Sequence, residues 1–355
     1  MAVGGRNEKR LISDFRTVLS SLLPAGWSIR FGKSASRSGA ADFLLTLTAP
    51  SGESLVVVVE VKDRLEPREV ADVVARLRTQ LDENNPSLPV VVSSYLSSRT
   101  RELLYADGMS YIDTTGNVRI VSSRPGLFIQ TEGAQRDPKP SNESLQSLRS
   151  AGAIRTVRAV VDTKPPYGIR ELAMKTGSPL ASLSRVVDLL DRESLIERDA
   201  RGRVTEVEWA NIIRRWSQDY TVSKSHEFET FIEPRGLAKL EDKLAGAGLT
   251  YAATGAFAAQ RFDPIAPLRT AALYVDDVDK AAKELDLRAT DTGANVWLIE
   301  PANAVVFERT LEREGTVCVA PSQLAVDLLT GSGREPSQGE AILDWMQRNE
   351  NAWRS

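Results

Sequence analysis

The sequence contains one cysteine, Cys318, and one histidine, His226, among 355 residues. A single cysteine excludes an intramolecular disulfide and a thiolate metal cluster, and a single histidine excludes a paired-histidine metal site. Most zinc chemistry is excluded with them. Catalysis by this chain would therefore depend on carboxylates, lysines, hydroxyls or a hard, oxygen-bound cation such as magnesium.

Long apolar runs are also missing. No run is longer than that from Leu55 to Val59, whereas a membrane helix needs roughly 18 or more apolar residues. The first ten residues include Arg6, Lys9 and Arg10 and contain no apolar signal core. We therefore expect a cytoplasmic protein that is neither membrane-spanning nor secreted.

Charge is distributed unevenly along the chain, although the net charge is only −3. Residues 148–205 carry 11 lysines and arginines against 7 acidic residues, whereas residues 206–355 carry 16 against 24. A short basic segment in a mildly acidic chain is the pattern expected when one domain contacts phosphates and the others do not.

The first 130 residues have the periodicity of one α/β domain. The pattern predicts a helix, three strands, a helix, a strand, a helix and a strand pair at residues 7–23, 27–31, 42–48, 55–61, 67–81, 90–93, 99–105 and 111–120. Consecutive β-branched residues in the third strand predict a central strand that is covered on both faces.

The remaining chain divides into three segments. Residues 131–147, rich in Gly, Pro, Ser and Asn, are predicted to form a linker. Residues 148–210 contain three short amphipathic helices followed by a hairpin, the layout of a winged helix-turn-helix. Residues 228–355 form a mixed α/β region. The expected fold class is therefore multidomain, with α/β and α+β parts.

Three charged residues form the strongest functional pattern. Glu60 and Lys62 end the third strand and point to the same face, and the neighbouring strand can place Asp42 beside them. Two adjacent carboxylates repel each other unless a divalent cation such as Mg²⁺ neutralises them. Lys62 would then orient an attacking water or stabilise a phosphoryl oxygen, which suits phosphodiester hydrolysis. The alternative is that these are surface residues whose proximity is accidental.

At these residues the sequence resembles the PD-(D/E)XK nuclease superfamily, which has the restriction-endonuclease-like fold. The order of predicted elements over residues 7–94 is similar to the core of that superfamily. The resemblance implies that Asp42 and Glu60 are metal ligands for Mg²⁺ and that Lys62 is the catalytic lysine. Many proteins keep this fold as an inactive nucleic-acid platform, so a non-catalytic role stays open.

Weaker candidates surround this pattern. Glu8 on the first helix is a candidate further ligand, and Arg76 or Gln80 on the helix after Lys62 can face the site, although a solvated helix face explains each residue equally well. Residues 111–117, Tyr-Ile-Asp-Thr-Thr-Gly-Asn, resemble a stretch in relatives of this domain architecture. A hairpin turn is an equally good explanation of the Gly-Asn pair.

Residues 169–177, Ile-Arg-Glu-Leu-Ala-Met-Lys-Thr-Gly, resemble the start of a bacterial helix-turn-helix. Polar side chains of the next helix and of the hairpin are the candidates for contact with double-stranded DNA: Ser182, Ser184 and Arg185, and Arg198, Arg201 and Arg203. The helix residues would contact base edges in the major groove, and the hairpin arginines would contact phosphates or the minor groove. A winged helix used only for protein contacts is the alternative.

Residues 228–355 resemble the C-terminal domain of AbiEi-like antitoxins and related transcriptional regulators, in segments 254–259, 273–276 and 323–329. That domain is distantly nucleotidyltransferase-like. Ala256 replaces the serine that an active enzyme would have, and Asp277 and Asp279 lie at a strand end. We therefore expect a non-catalytic domain that supports a homo-oligomer or binds a protein partner.

The two single-copy residues are expected to be structural or solvated. His226 lies in a polar stretch and is interpreted as a solvated linker residue, whereas Cys318 among valines is interpreted as a buried core thiol. The preferred function is a cytoplasmic bacterial DNA-binding protein, with nucleoid association open, that carries a Mg²⁺-dependent nuclease domain used in defence against foreign DNA. The alternatives are a transcriptional regulator or type IV antitoxin-like protein with an inert nuclease-like platform, and a protein-binding assembly module.

Overall fold

The computed structural model describes residues 4–34, 42–81, 87–139, 147–263 and 268–355, without the side chains of residues 4–9, 33 and 34. The chain divides into two compact units. Unit 1 comprises Met1–Glu143 and Arg192–Ser194, and unit 2 comprises Ser144–Asp191 and Leu195–Ser355. Each unit contains a large mixed sheet. The protein is therefore a mixed α/β chain of more than one domain. Among the residues that the structure describes, no helix combines the length and the apolar character that a membrane crossing requires.

Unit 1 is built on a seven-stranded sheet whose strands follow one another in chain order. Its elements are α1 (Gly4–Leu22), β1 (Ser28–Ser34), β2 (Phe43–Thr48), β3 (Ser54–Lys62), α2 (Val70–Arg78), β4 (Ser87–Ser93), α3 (Ser98–Ala106), β5 (Ser110–Asp113), β6 (Val118–Ser123) and β7 (Gly126–Thr131). Strand β4 is parallel to β3 and to β5, and the other neighbouring strands are antiparallel. The sequence pattern predicts each of these elements except β7.

Strand β3 is covered on both faces, as its β-branched sequence predicts. Val57 and Val59 belong to the same core as Phe15 of α1. Val58 belongs to a second core, which includes Val73 of α2. Because side chains alternate along a strand, Glu60 and Lys62 lie on the same side as Val58, the side that α2 covers.

The predicted linker is wrong for residues 131–139, which are part of unit 1. Thr131 ends β7, and the backbone N–H of Gly133 donates to Asn117 Oδ1 at 2.9 Å. Asp137 forms an ion pair with Arg64 at 2.9 Å. Polar residues in this segment bond to the surface of unit 1. Composition alone does not distinguish such residues from solvated linker residues. Residues 140–146 lie outside the described residues.

Unit 2 begins with the predicted helices and hairpin: α4 (Ala151–Asp162), α5 (Ile169–Thr176), α6 (Leu180–Arg192), β8 (Ile196–Arg198) and β9 (Val204–Val207). We call residues 148–210 the helix–hairpin region. The elements that follow are α7 (Trp209–Ser217), α8 (Val222–Ser225), β10 (Glu227–Ile232), α9 (Leu237–Gly246), β11 (Tyr251–Thr254), α10 (Gly255–Ala259), β12 (Ala271–Val275), α11 (Val278–Glu284), β13 (Arg288–Ala289), β14 (Val296–Glu300), β15 (Leu311–Arg313), β16 (Thr316–Cys318), α12 (Pro321–Leu329) and α13 (Glu335–Arg348). The large sheet has the order β13-β10-β14-β12-β11-β16-β15.

The helix–hairpin region and residues 228–355 share one hydrophobic core, although the sequence indicated two separate domains. Buried polar groups also join them. Arg158 of α4 is fully buried and donates to the carbonyl oxygens of Val305 and Glu308. Its guanidinium lies 3.7 Å from Asp162, which also forms an ion pair with Arg309 at 2.8 Å. These long-range contacts make the two segments one unit.

His226 is buried, so its interpretation as a solvated linker residue is wrong. Its Nδ1 accepts a hydrogen bond from the backbone N–H of Ala302 at 3.1 Å, and its Nε2 lies 3.0 Å from the Tyr220 hydroxyl. The bond to Ala302 requires an unprotonated Nδ1, so the proton of the neutral ring is on Nε2. Cys318 is fully buried, as predicted, and burial raises the pKa of its thiol to about 12.

The Tyr220 hydroxyl connects His226 to a buried carboxylate, Asp327. Tyr220 donates to Asp327 Oδ1 at 3.0 Å, and Thr254 and Tyr274 donate to Oδ2 at 2.6 and 3.1 Å. Burial raises the pKa of Asp327 to about 6, although these hydrogen bonds favour its ionised form. Burial lowers the pKa of His226 to about 4.

These opposite shifts predict the pH dependence of unit 2. Neutral His226 stabilises the fold above pH 6.5, and this contribution is lost as the pH falls through 6.5 towards 4, because the unfolded state takes up the proton first. Asp327 acts in the opposite sense between about pH 4 and 6, because the folded state retains its proton. His226→Gln keeps a donor and an acceptor but cannot titrate.

Lowering the pH from 7 to 5 is therefore expected to cost the wild type about 2 kcal/mol more unfolding free energy than it costs His226→Gln. Urea unfolding followed by tryptophan fluorescence measures this difference, since five of the six tryptophans lie in unit 2: Trp209, Trp216, Trp297, Trp345 and Trp353. The same pH dependence in both proteins would show that His226 is not neutral in the folded state.

Candidate active site

Asp42 is positioned beside the end of β3 by the pairing of β2 with β3. Phe43 pairs with Val59 in this antiparallel ladder, so Asp42 lies across from Glu60. The backbone N–H of Asp42 donates to the Val59 carbonyl at 3.0 Å. The Asp42 carboxylate accepts at Oδ2 from the backbone N–H of Val61 at 2.6 Å. The structure therefore brings Asp42 next to the segment that carries Glu60 and Lys62.

Glu60 is the buried member of the group, with 6% of the residue exposed. Two cations share its Oε1: the Lys62 ammonium at 3.1 Å and the Arg76 guanidinium of α2 at 3.0 Å. Burying a carboxylate is unfavourable unless it is paired and hydrogen-bonded, and these two cations supply that compensation. Arg76, one of the weaker sequence candidates, thus reaches the site.

The other weak sequence candidates are Glu8 and Gln80. The side chain of Glu8 lies outside the described residues. Gln80 follows the C-terminal end of α2 and is half-buried. Within the described parts of the chain, no cluster of three or more carboxylate, histidine or cysteine side chains is arranged to hold a metal.

The donor set nevertheless fits a hard divalent cation. Asp42, directly before β2, and Glu60 of β3 provide carboxylate oxygens, and Mg²⁺ is typically bound by one or two carboxylates together with waters and phosphate oxygens. A Mg²⁺ ion here would be held by Asp42 and Glu60, and the remaining ligands would come from solvent or substrate. Such an ion would compete with Lys62 and Arg76 for Glu60.

Asp113 has a structural role. It is fully buried, and its Oδ1 accepts from the backbone N–H groups of Thr115 and Asn117 at 2.8 and 3.1 Å. Its Oδ2 accepts from the backbone N–H of Leu96 and from Asn117 Nδ2 at 3.0 and 2.8 Å. Gly116 has a φ of +100°, which favours glycine. These bonds order the β5–β6 turn, as the hairpin explanation of residues 111–117 requires.

The three candidates on α6 differ in their surroundings. Arg185 is exposed, and its Nε donates to the carbonyl of Ala181 at 3.2 Å in the same helix. Ser184 is half-buried. Ser182 faces α4, because its Oγ lies only 3.2 Å from the position that a Cβ on Gly152 would occupy. Arg185 is therefore the α6 side chain best placed to reach a ligand.

The hairpin arginines divide in the same way. Arg198 forms ion pairs with two α6 carboxylates, Asp188 at 2.8 Å and Asp191 at 3.7 Å. Arg201 and Arg203 lie at the hairpin turn, where the backbone N–H of each donates to one carboxylate oxygen of Asp199. Both side chains are exposed. The hairpin thus presents Arg201 to solvent. Arg203, although exposed, lies 3.6 Å from the Glu171 carboxylate of α5, and Arg198 ties β8 to α6.

Residues 254–279, which the sequence offered for a nucleotidyltransferase-like site, contain groups with structural partners. Asp277 caps α11, since its Oδ1 accepts from the backbone N–H of Lys280 at 2.8 Å. Thr254, which precedes Gly255, donates to buried Asp327. Ala256 offers no hydroxyl at the start of α10. We retain the expectation that this region has no transferase activity.

The chain shows little similarity to known proteins. No protein-family model matches the chain, and no curated protein matches it. Among solved structures, EndoMS in its apo form is similar over 30% of this chain and 45% of the EndoMS chain, with 15% sequence identity and a TM-score of 0.22. The match thus spans less than half of the EndoMS chain. A similarity this low establishes no function for this chain.

Proposed function

We propose that this chain is a DNA-binding protein in which unit 1 carries a Mg²⁺-dependent phosphodiesterase site and the helix–hairpin region binds duplex DNA. The observation that supports the nuclease site is the position of Asp42, whose carboxylate is bonded to the Val61 N–H between Glu60 and Lys62. This bond puts Asp42 beside the two residues from which 18 or more positions separate it in the sequence, and all three are residue types suited to phosphodiester hydrolysis.

The three side chains have two roles in this proposal. Asp42 and Glu60 hold the cation, and the partial burial of the site strengthens their electrostatic effect. A bound Mg²⁺ would polarise a phosphoryl oxygen and acidify a bound water. Lys62, with 36% of its side chain exposed, is accessible to stabilise negative charge on the phosphate or to orient the attacking water.

The test is DNA cleavage by the full chain with Mg²⁺ or Mn²⁺, on supercoiled, linear, single-stranded and modified DNA. We expect nicking or cutting that requires the metal and stops when EDTA is added. DNA that is bound but never cut, across these substrates and a range of metal concentrations, would contradict the nuclease proposal.

That outcome would favour a second candidate function, a transcriptional regulator or antitoxin-like protein whose unit 1 is an inert platform. The observation that favours it is the double neutralisation of Glu60 by Lys62 and Arg76. A carboxylate that already has two cationic partners does not need a metal in order to be buried.

The hairpin surface predicts how DNA binding responds to mutation. Arg201→Met or Arg203→Met is expected to weaken binding to all sequences alike and to lower the slope of log K against log salt by about 1, because one phosphate contact is lost. Fluorescence anisotropy at several salt concentrations measures both quantities. Arg348→Met is the matched control, since Arg348 is an exposed arginine of α13 paired with Asp263. Equal effects at Arg201, Arg203 and Arg348 would show that the hairpin does not contact DNA.

A further inference from the structure

We propose that Arg76 couples divalent-cation binding to DNA binding in unit 1 by exchanging Glu60 for a DNA phosphate. This inference rests on the proposed function, because it takes Asp42 and Glu60 as the cation ligands. It adds a property that the site residues alone do not imply, namely that the cation and DNA bind cooperatively through one arginine.

A divalent cation would compete with two side chains for Glu60. The Arg76 guanidinium lies 3.0 Å from Glu60 Oε1, and the Lys62 ammonium lies 3.1 Å from it. A divalent cation bound to the same carboxylate would sit close to both positive groups, and like charges at this separation repel strongly in a partly buried site. This repulsion favours the departure of at least one of the two side chains from Glu60 when a cation binds.

Arg76 is the group better placed to leave. It lies on α2, whereas Lys62 lies on β3 only two residues from Glu60. Half of the Arg76 side chain is exposed, compared with 36% of the Lys62 side chain. Arginine also has the planar donor geometry that matches a phosphate as well as a carboxylate. Its departure from Glu60 thus leaves a strong anion-binding group at the rim of the site.

The free energy of this exchange depends on which group replaces Glu60 as the partner of Arg76. Without DNA, the displaced guanidinium gains only water, so the lost charged hydrogen bond weakens cation binding. With DNA, a backbone phosphate replaces the carboxylate as its partner, and that penalty disappears. By thermodynamic reciprocity, the cation must strengthen DNA binding by the same factor by which DNA strengthens cation binding. The site would then load metal mainly when DNA is present.

The experiment measures Ca²⁺ binding to the full chain by isothermal titration calorimetry, with and without a DNA duplex that is checked to remain intact. Without DNA, Arg76→Met is expected to bind Ca²⁺ about fivefold more tightly than the wild type. The enhancement of Ca²⁺ affinity by DNA, and of DNA affinity by Ca²⁺, should shrink by the same factor in this variant.

Arg78→Met is the matched control. Arg78 lies on the same helix and has similar exposure, but its partner is Asp107 at 2.8 Å. This substitution changes the net charge by the same amount without touching Glu60, so it should leave the Ca²⁺ affinity and the coupling close to wild type. Methionine is a good helix former, and both positions are at the helix surface, so both variants are expected to fold.

The outcomes separate the two proposals. If Ca²⁺ binding is lost in Glu60→Gln but is the same in Arg76→Met as in wild type, with unchanged coupling to DNA, the role of Arg76 is wrong and the metal site stands. If Arg76→Met and Arg78→Met strengthen Ca²⁺ binding equally, the effect is general electrostatics and the exchange is also wrong. If no variant binds Ca²⁺ in a Glu60-dependent way, the proposed metal site itself fails.

Discussion

Glu60→Gln is expected to lower Mg²⁺-dependent DNA cleavage by about 100-fold or more, the size of effect found when a charge-stabilising group is removed from an active site. The substitution keeps the shape of the side chain but removes one of the two carboxylates proposed to hold the cation. Lys62→Met is expected to have an effect of similar size, because it removes the ammonium next to Glu60. Initial rates on a defined DNA substrate measure both losses.

DNA affinity should separate this catalytic effect from a loss of binding. Glu60→Gln removes a negative charge, so in the absence of divalent cations DNA should bind to it at least as tightly as to the wild type. Glu53→Gln is the matched control, since Glu53 is exposed and precedes the opposite end of β3. Cleavage by Glu60→Gln at the wild-type rate would place any nuclease activity outside this group of residues.

Arg158→Met is expected to destabilise unit 2 by about 3–5 kcal/mol, the cost of breaking a buried ion pair by removing one partner. Arg158 is fully buried, and it donates to the carbonyl oxygens of Val305 and Glu308. Its loss would leave these acceptors without that donor and would leave Asp162 with Arg309 as its nearest cation. The free energy of unfolding from urea titrations, followed by tryptophan fluorescence, measures the change.

Arg155→Met gives the comparison on the same helix. Arg155 is more exposed than Arg158, and it forms an ion pair with the Glu308 carboxylate at 3.0 Å. A surface ion pair contributes about 1 kcal/mol or less, so this variant should stay close to the wild type. Similar losses from both substitutions would mean that burial does not determine the importance of Arg158. A stable, uniquely folded Arg158→Met protein would show that the buried contacts of Arg158 are not needed to join the two segments of unit 2.

Local patterns in the sequence are sufficient to predict most elements of unit 1 and the proximity of three residues of the candidate site. The β-branched run in β3 indicated a strand covered on both faces, and the cores that contain Val57 and Val58 agree with it. Side-chain alternation placed Glu60 and Lys62 on one face. The short connection between β2 and β3 made their pairing predictable, and this pairing brought Asp42 beside them.

Short-range periodicity and turn length thus predict the strands, the helices and the grouping of Asp42, Glu60 and Lys62. The contact of Arg76 with Glu60 and the burial of His226 beside Tyr220 depend on packing between elements, which these local patterns do not predict. The same holds for Arg158, whose partners lie about 150 residues away in the chain. A polar residue with a distant partner has the same local sequence pattern as a solvated one, because the compensating hydrogen bond comes from another element that composition and periodicity do not identify.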